Sequence, residues 1–431
     1  MTFSVSCILR LRLPAWLLPD NWPEDAVKKD GSPALADVHI ENGCITELTP
    51  TSDCPQNPDG SVVDGGGRLA LPGLLDAHTH LDKTYTRERL GKIKPGLLPA
   101  IEAMRADQYA HWSREDLTQR GEKALQAAWA SGTRTLRTHI DWITAEVPLG
   151  WQVMGELAEQ WRERITVQRV ALVPLPLLAD ENVARQIIAA VAASEQGVMG
   201  AFIHSTNLDP AAVEILLRCS AEAGVDLDLH IDEELSGQAA GLECLLDVLE
   251  QMTFSGRIVC GHVCALSSQS EHMALHLLDR AAQQPITFVA LPATNLFLQD
   301  AEPGRTPRQR GISMIHEAKA RGIPVLLAND NVQDAFCPLG NYDLCQMLTM
   351  AVYSAHLDNV FDDWSQAICR TDWLKSNADF SLIGQPADLL IFCTDSPWSW
   401  PSSSGHIRIH GGTIINASDT EKPAYFSSAE L

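Results

Sequence analysis

The chain has 431 residues, of which 45% are hydrophobic and 20% are charged. This length exceeds the roughly 100–200 residues of one ordinary domain, and the composition is typical of a soluble globular protein with a large core. The 55 acidic residues against 32 Lys and Arg give a net charge of −23, which argues against nucleic acid or an anionic membrane surface as a partner.

The first 70 residues alternate short β-like segments with turns. SCILRLRL and ADVHIENGCITELTP have the pattern of strands, and Asn42-Gly43 in the second segment predicts a hairpin turn. Arg10 and Arg12 interrupt the apolar start of the chain, so we expect a strand there and not a signal peptide. No apolar run approaches the roughly 20 residues of a membrane span. The 11 cysteines include no C-x-x-C pair, and we therefore expect a reduced, cytoplasmic protein without a membrane contact.

From residue 71 the pattern changes to apolar strands separated by long helical segments. One such segment follows Ser113, a typical N-cap residue, and stops at Gly132. Eight strands are predicted, at residues 74–80, 135–140, 166–174, 198–204, 225–231, 257–263, 285–292 and 323–330. Eight strands that alternate with helices indicate an α/β fold, the (β/α)8 TIM-type barrel.

The C-terminal segment returns to β character. Residues 384–395 and 406–416 have the pattern of strands, and we expect them to pair with the N-terminal strands. The predicted organisation is therefore discontinuous. Residues 1–70 plus 381–431 form a small β-sandwich domain, and residues 71–380 form the catalytic barrel.

Ionisable residues collect at the C-terminal ends of the predicted barrel strands, where active sites of such barrels lie. They are His78, His80, His139, His204, His230, His262 and Asp330. Side chains two residues apart on a strand share a face, so His78 and His80 point to one spot. Several imidazoles and one carboxylate are a ligand set for a divalent metal ion, and ligand type leaves zinc, iron(II) and manganese open.

Four further positions near the strand ends have two interpretations each. Glu233 follows His230 by three residues and could accept a proton from metal-bound water; alternatively it belongs to a solvated acidic loop, because acidic residues flank it. Lys83, Asn295 and Gln299 either line a substrate pocket or have structural roles in loops. Inside the barrel, Asp76 and Arg137 are predicted to share an ion-pair network, since buried charges need partners.

A series of motifs resembles the cytosine deaminase-like branch of the amidohydrolase superfamily over nearly the whole chain. The first is LPGLLDAHTHLDKT, with its His-x-His pair. It is followed by RTHID (137–141), HIDEE (230–234), GH (261–262), NLFLQ (295–299), RQRGI (308–312) and NDNVQDAFCPLG (329–340). Such a chain is expected to be a hydrolase that acts on C–N bonds other than peptide bonds.

The resemblance implies a ligand set and a mechanism. One divalent metal ion, zinc or iron with manganese possible, would be held by His78, His80, His230 and Asp330. The fourth predicted strand, VMGAFIH, ends without lysine, so the carbamylated lysine of two-metal relatives is not expected. A metal-bound hydroxide would attack an amino-substituted N-heterocycle and release ammonia. Glu233 would transfer the proton, His262 would orient the hydroxide, and Asp330 would also accept a proton.

Two departures from the family pattern concern the substrate. The family's glutamine near the end of the third strand is absent from LVPLPLL (172–178), where Leu175 stands, and Phe336 occupies the place of a tryptophan. With Lys83 and Gln299, these are the predicted substrate-binding residues. They favour 5-methylcytosine, isocytosine or an aminotriazine over cytosine. Hydrolysis of an N-alkylamine or cyclic amide, and a catalytically silent binding barrel, are the alternatives. The expected partner is a small heterocycle, and a homo-oligomer is possible.

Overall fold

The computed structural model describes residues 3–26, 28, 32–51, 61–235, 238–375, 380–402 and 405–415. The chain divides into two compact units. The first contains the chain up to Leu74, residues Leu357–Cys369 and the described residues from Phe380 onwards; the second contains Leu75–His356 and the segment that begins at Arg370. Residues 52–60 and 416–431, which the sequence assigns to the sandwich domain, lie outside the described residues.

The described part of the chain contains 17 strands and ten α-helices, and strands and helices alternate only in the barrel. The strands are β1 (Phe3–Ser4), β2 (Cys7–Leu11), β3 (Ala36–Glu41), β4 (Cys44–Pro50), β5 (Val62–Asp64), β6 (Ala70–Pro72), β7 (Leu74–Thr79), β8 (Thr133–Asp141), β9 (Thr166–Pro174), β10 (Gly197–Ile203), β11 (Leu227–Ile231), β12 (Ile258–His262), β13 (Ile286–Ala290), β14 (Val325–Leu327), β15 (Leu389–Phe392), β16 (His406–His410) and β17 (Thr413–Ile415). The helices are α1 (Leu97–His111), α2 (Arg114–Ala130), α3 (Leu149–Trp161), α4 (Glu181–Ala192), α5 (Pro210–Ala223), α6 (Ala240–Leu249), α7 (Glu271–Ala281), α8 (Pro292–Leu298), α9 (Ile315–Ala320) and α10 (Leu344–Ala355). Within the described ranges, none of these helices combines the length and the apolar character needed to cross a membrane.

The first unit contains two sheets built from both ends of the chain. Their strand orders are β1-β17-β16-β15-β6 and β4-β3-β2-β5. Phe3 pairs with Ile414 in antiparallel register, so the N-terminal and C-terminal strands share a sheet, as predicted. Buried side chains of both sheets, such as Ile8 and Ile391, belong to one apolar core. The predicted turn at Asn42 and Gly43 is confirmed, with positive φ of 51° and 76°.

The second unit contains the barrel. Strands β7 to β14 lie side by side in sequence order, and a parallel bridge between Thr79 and Asp330 joins the last strand region to the first. All eight predicted strands and the barrel fold are confirmed. The eighth is shorter than predicted, because β14 ends at Leu327. Asp330 leaves the extended conformation with a φ of 61°, and its backbone N–H donates to His78 O at 2.8 Å.

Two helices separate β7 from β8, although only the second was predicted. Helix α2 begins after Ser113, whose Oγ accepts from Asp116 N at 3.2 Å, and it ends before Gly132, which has a φ of 98°. Helix α1 is an additional element, and its apolar side chains pack in a cluster that includes Phe336. The sequence carries a signal for α1, because apolar residues at positions 97, 101 and 104 have helical spacing.

The predicted ion-pair network between Asp76 and Arg137 is wrong. Arg137 Nη1 donates to Asp228 Oδ2 at 2.7 Å and Arg137 Nε donates to Gln168 Oε1 at 2.9 Å. Asp76 instead accepts from Asn329, at 3.1 Å from the backbone N–H and 2.7 Å from the side-chain amide. Both side chains face the interior as their register predicts, but each has its own partners: Arg137 pairs with residues of β9 and β11, and Asp76 pairs with Asn329 after β14.

Candidate active site

His78 and His80 lie at the end of β7, and their rings converge with His230 from the end of β11. His230 Nε2 is 3.1 Å from His78 Nε2 and also 3.1 Å from His80 Nε2. Burial holds the pKa of all three imidazoles well below the usual value, so the rings are neutral and their nitrogen lone pairs are available. The side chains of His78 and His80, which point to the same face, therefore converge on His230.

Asp330 completes this group from the segment after β14. Its Oδ1 lies 3.2 Å from His80 Nε2 and 3.6 Å from His78 Nε2. The carboxylate is fully buried, and Oδ1 has no hydrogen-bond partner among the described residues. A buried carboxylate oxygen without a partner is costly unless a cation is bound.

The four converging atoms have the spacing of a tetrahedral metal site. Ligand bonds of 2.0–2.1 Å in a tetrahedron place the ligand atoms about 3.4 Å apart. Four of the six separations among these atoms lie between 3.1 and 3.6 Å and are close to this value. His78, His80, His230 and Asp330 therefore fit a divalent ion with a preference for nitrogen and oxygen ligands. The strand that contributes a lysine in two-metal relatives, β10, ends at Ile203 and is followed by His204.

Gly261 provides the space in which the His78 ring lies. A β-carbon at this position of β12 would lie 3.0 Å from Cε1 and 3.1 Å from Nδ1 of His78. Both contacts are tighter than ordinary van der Waals contact, and a strand residue offers little freedom to move. The glycine of the Gly261-His262 pair thus has a steric reason to stand beside the candidate metal ligands.

Three consecutive acidic residues follow β11, and only the middle one lines the cavity beside the metal ligands. Asp232 accepts from Gly241 N and Leu242 N, both at 2.9 Å. Glu234 accepts from the backbone and hydroxyl of Ser205, at 2.8 and 2.7 Å. Glu233 is 5% exposed and its Oε1 is 3.4 Å from His262 Nδ1. Burial, and then the Asp330 charge, raise the pKa of Glu233 well above its usual value.

His262 lies opposite Glu233 at the end of β12. The side-chain amide of Asn295 donates to His262 Nδ1 at 3.0 Å, so the ring proton resides on Nε2. Burial lowers the pKa of His262 to about 4, which keeps the ring neutral. Nε2 has no partner within the described part of the chain. Ligand atoms of His262, His78 and His230 also lie within 4.8 Å of one another, so the His262 ring lies beside the candidate metal ligands.

The remaining two strand-end histidines have other partners. His139 stacks on His78, with 3.8 Å between ring centroids, and its Nε2 is 3.1 Å from Asp228 Oδ1. Asp228 is already paired with Arg137, and the positive charge of this arginine makes a metal ion beside Asp228 unfavourable. His204 turns away from this centre: its Nδ1 is 2.9 Å from Thr206 Oγ1 and its Nε2 is 3.4 Å from Glu234.

A cavity of about 400 Å³ opens above the four ligands. His80, His230, His262, Glu233 and Asp330 form its polar floor. The opposite wall is mainly apolar, and its apolar residues are Leu97, Leu98, Ile101, Met104, Ile143, Leu172, Pro174, Pro176, Phe202 and Phe336. The volume lies near the lower end of the range of about 300–1,000 Å³ found for small-molecule sites.

Two of the four predicted substrate-binding residues line this cavity. Lys83 and Phe336 do so, and Lys83 Nζ lies 5.7 Å from the Phe336 ring centroid. Leu175 is fully buried behind the wall formed by its two proline neighbours. Gln299 is not in the lining; its amide donates to Glu233 O at 3.2 Å and so fixes the backbone of the glutamate.

Several residues that line the cavity were not predicted from the sequence. Helix α1 contributes four apolar side chains and the polar residues Glu102, Arg105 and Gln108. Asp141, the last residue of RTHID, also lines the cavity and binds Lys83 Nζ through Oδ1 at 2.8 Å. Its position at the end of β8 was the available signal. Burial alone would lower the pKa of Lys83, but the carboxylates of Asp141 and Asp82 raise it to about 12.

A larger surface groove, of about 680 Å³, lies elsewhere on the second unit. It is lined by the loop from Gln309 to Met314 and by neighbouring residues. Within the described residues, its lining contributes no member to any group of close metal-ligand atoms. Volume alone therefore does not identify the site, and the converging ionisable groups point to the smaller cavity.

Comparisons with known proteins agree with this geometry. A pterin deaminase from Rhizobium rhizogenes is 33% identical over 389 residues, which cover 89% of this chain and 88% of that protein. The crystal structure of 5-methylcytosine deaminase from Klebsiella pneumoniae has a TM-score of 0.78 at 23% identity and covers 97% of this chain and 99% of its own. Atrazine chlorohydrolase from Arthrobacter aurescens, solved with zinc, has a TM-score of 0.62 at 13% identity over 96% and 94% of the two chains. No protein-family profile matches the chain.

Proposed function

This chain belongs to the amidohydrolase superfamily, in its cytosine deaminase-like branch, and on that basis we propose that it deaminates a bicyclic 2-amino-4-oxo heterocycle of the pterin class. It is a metal-dependent hydrolase of C–N bonds. In the proposed reaction, water replaces the exocyclic amino group on the carbon between two ring nitrogens. The products are the corresponding oxo compound and ammonia.

One observation carries the proposal: a single cavity joins a metal-binding floor to an apolar wall. The floor contains three of the four proposed ligands, His80, His230 and Asp330, and the Glu233 carboxylate, whereas the wall is formed largely by α1, the C-terminal end of β9 and Phe336. A flat heterocycle could place its amino-bearing carbon at the floor and its second ring against the wall. The name of the 33%-identical relative, pterin deaminase, supports a fused ring system.

This substrate class contains one of the rings predicted from the sequence. A pterin is an isocytosine ring fused to a pyrazine, so its reacting carbon has the same neighbours as in isocytosine. The added ring is apolar on both faces and needs a wall that can bury it. The proline-rich end of β9, which replaces the expected glutamine, supplies such a surface with Leu172, Pro174 and Pro176.

His78, His80, His230 and Asp330 would hold the metal ion. A divalent ion at this position supplies Lewis-acid activation of water, whose pKa falls towards neutrality. The ion in the related chlorohydrolase structure is zinc, and we propose zinc or iron(II) here because both accept three imidazoles and one carboxylate. Burial keeps the three imidazoles neutral, as ligation requires.

Glu233 is the proposed proton carrier. It points into the cavity from the residue after Asp232, whose φ of 54° turns the backbone there. The carboxylate would accept a proton from the attacking water and deliver it to the ring nitrogen next to the reacting carbon. Gln299 fixes the backbone carbonyl of Glu233, so this glutamine acts through the glutamate and not on the substrate.

His262 and Asp330 complete the proposed set of acid–base groups. The Asn295 amide leaves the ring proton of His262 on Nε2, from which it can donate a hydrogen bond to the attacking water and orient it. Asp330 has a second oxygen, Oδ2, that has no partner among the described residues. That oxygen would accept the second proton of the water and pass it to the departing amine, which leaves as ammonia.

A substrate screen tests the proposal. The purified protein is reconstituted separately with zinc, iron(II) and manganese, and ammonia release is measured with pterin, isocytosine, 5-methylcytosine, cytosine and an N-alkylated aminotriazine. We expect the largest kcat/KM with pterin. Faster turnover of a monocyclic pyrimidine or of the N-alkylated triazine would overturn the pterin assignment, and the absence of turnover with every metal would overturn the enzymatic proposal.

A further inference from the structure

A buried ion pair in the wall of the cavity has no part in the reaction proposed above. Lys83 lies in the turn after β7, and Asp141 is the last residue of β8. Lys83 Nζ is 2.8 Å from Asp141 Oδ1, the lysine is 4% exposed, and both side chains line the cavity together with His80 and Glu233. The pair is therefore within reach of a heterocycle bound above the metal ligands.

Hydrogen-bonding capacity remains on both members of this pair. An ammonium group has three donors. One of them is directed to Asp141 Oδ1 at 2.8 Å, and His80 Nδ1 lies 3.2 Å from the ammonium nitrogen, which leaves at least one donor. Asp141 Oδ2 accepts no hydrogen bond from the residues that the structure describes. One donor and one acceptor thus lie side by side at the cavity wall.

The backbones of both residues are held in place by neighbours. Lys83 N donates to His80 O at 3.1 Å, and Thr86 Oγ1 donates to Lys83 O at 2.8 Å. Asp141 N donates to Asp82 Oδ2 at 2.9 Å, and Asp82 is fully buried. Because the loop is ordered by these bonds, little conformational freedom is lost when a ligand binds to the pair.

An adjacent donor and acceptor are the complement of a lactam edge, in which a ring N–H lies next to a C=O. A glutamine side chain offers the same two functions through its amide. That glutamine is absent from the end of β9, where Leu172, Pro174 and Pro176 line the cavity. The Lys83–Asp141 pair lies beside these apolar residues, since Asp141 of β8 pairs in register with Leu172 of β9, so the polar contact to the ring can come from the ends of β7 and β8.

We propose that Lys83 and Asp141 together recognise the lactam edge of the substrate, with Lys83 donating to the ring carbonyl and Asp141 accepting from the ring N–H. This inference rests on the proposed function, since it assumes an oxo-substituted amino-heterocycle. A site built to bind such an edge rejects an analogue that lacks it by up to about 10⁴–10⁵-fold, because its buried polar groups then lose their partners. Selectivity for the 4-oxo group therefore depends on these two residues.

Binding measurements in a Glu233→Gln background test the pair without turnover. The zinc-loaded protein is titrated with pterin and with 2-aminopteridine, which lacks the oxo group. We expect at least 100-fold tighter binding of pterin, and we expect Lys83→Met or Asp141→Leu to reduce this preference by at least tenfold. Metal content and circular dichroism show whether each variant is folded, and Lys83→Arg should restore part of the preference.

The outcomes separate this inference from the proposed function. If the Glu233→Gln protein binds the two compounds equally, or if both truncated variants keep the full preference, the recognition role is wrong. If the wild-type protein does not turn over pterin but the oxo preference still depends on Lys83 and Asp141, the pterin deaminase proposal fails and the recognition of a lactam edge stands. Should one truncated variant fail to fold, the other still decides the question.

Discussion

The floor and the wall of the cavity differ in how the fold holds them. The floor residues His262 and Asp330 are buried, whereas Leu98 and Ile143 of the wall are 51% and 49% exposed. The floor groups stand at the ends of barrel strands or in the segments that follow them directly, and the exposed wall residues stand on a helix and a loop outside the barrel. We propose that the floor determines the chemistry and that the peripheral elements, together with Lys83 and Asp141, determine which ring is accepted.

The backbone at the floor shows the cost of this arrangement. Asp232, His262 and Asp330 all have positive φ, between 54° and 70°, which is uncommon for residues with a side chain. Such conformations cost about 1–3 kcal/mol each and persist only where the surroundings impose them. All three residues are proposed metal ligands, proposed acid–base groups or their direct neighbours. Positive φ also occurs away from the floor, for example at Gln196 and Asn359, but at these three positions it sets the direction of a side chain at or next to the proposed metal site.

Removal of one floor ligand should have the largest effect. We expect His230→Ala to be purified with almost no bound metal and to show no measurable ammonia release. The reason is that only three of the four proposed ligands, including Asp330, remain. Metal analysis by mass spectrometry measures the loss. His204→Ala is the matched control, because this histidine also follows a barrel strand but pairs with Thr206 and Glu234. A His230→Ala protein with wild-type metal content would contradict the ligand assignment.

Removal of the proton carrier should abolish turnover while leaving the metal in place. We expect Glu233→Gln to lower kcat by about 10²–10⁴-fold, the usual contribution of a general acid–base group, with unchanged metal content. Glu234→Gln is the control, because this neighbour binds Ser205 and not the cavity. Equal losses in the two variants would mean that the acidic segment is structural and that the proton path runs elsewhere.

A change in the wall should alter substrate choice and spare the chemistry. Leu98 is half-exposed, and the second ring of a bound substrate would cover its apolar side chain. Leu98→Ser removes this apolar contact, which should reduce the free energy of binding by about 1–2 kcal/mol. We therefore expect KM for pterin to rise roughly tenfold, while kcat/KM for isocytosine changes little. Tyr109→Ser on the same helix is the control, since Tyr109 is 96% exposed. A parallel loss with both substrates would show that α1 supports the floor as well.

The sequence predicted the floor much better than the wall. Strand alternation and the common end of the barrel strands predicted the group of strand-end residues, and the resemblance implied that His78, His80, His230 and Asp330 among them are the ligands. His204 and Leu175 show where this rule stops: each lies just beyond its strand, as His80 and Asp330 also do, but neither His204 nor Leu175 lines the cavity. Past that point, loop hydrogen bonds decide the direction, and the sequence does not reveal these partners.

Helix α1 shows a different limit of prediction. Its apolar spacing indicates a helix, but not that this helix forms the wall of a cavity whose floor comes from β7, β11, β12 and the segment after β14. The same holds for Asp141 and Lys83, which are 58 residues apart in the chain and meet only in the folded barrel. Pairings between side chains of distant elements require the tertiary structure, as the mistaken Asp76–Arg137 pair also shows.

The smallest effect should come from loosening α1 where it is tied to the barrel loops. Arg89 donates to both oxygens of Asp107 on α1, each at 2.7 Å, and it also bonds Asp116 on α2. Asp107 is 4% exposed, so Arg89→Gln leaves a buried carboxylate without its cation, and α1 should become more mobile. We expect KM for pterin to rise only a few-fold with kcat unchanged, and amide hydrogen exchange to accelerate along α1 and not along β7.

Arg114→Gln is the control, because its pair with Glu156 is exposed on both sides and should contribute little to stability. If Arg89→Gln lowered kcat for isocytosine as well, the wall and the floor would be coupled, and the separation of specificity from chemistry would not hold for this protein.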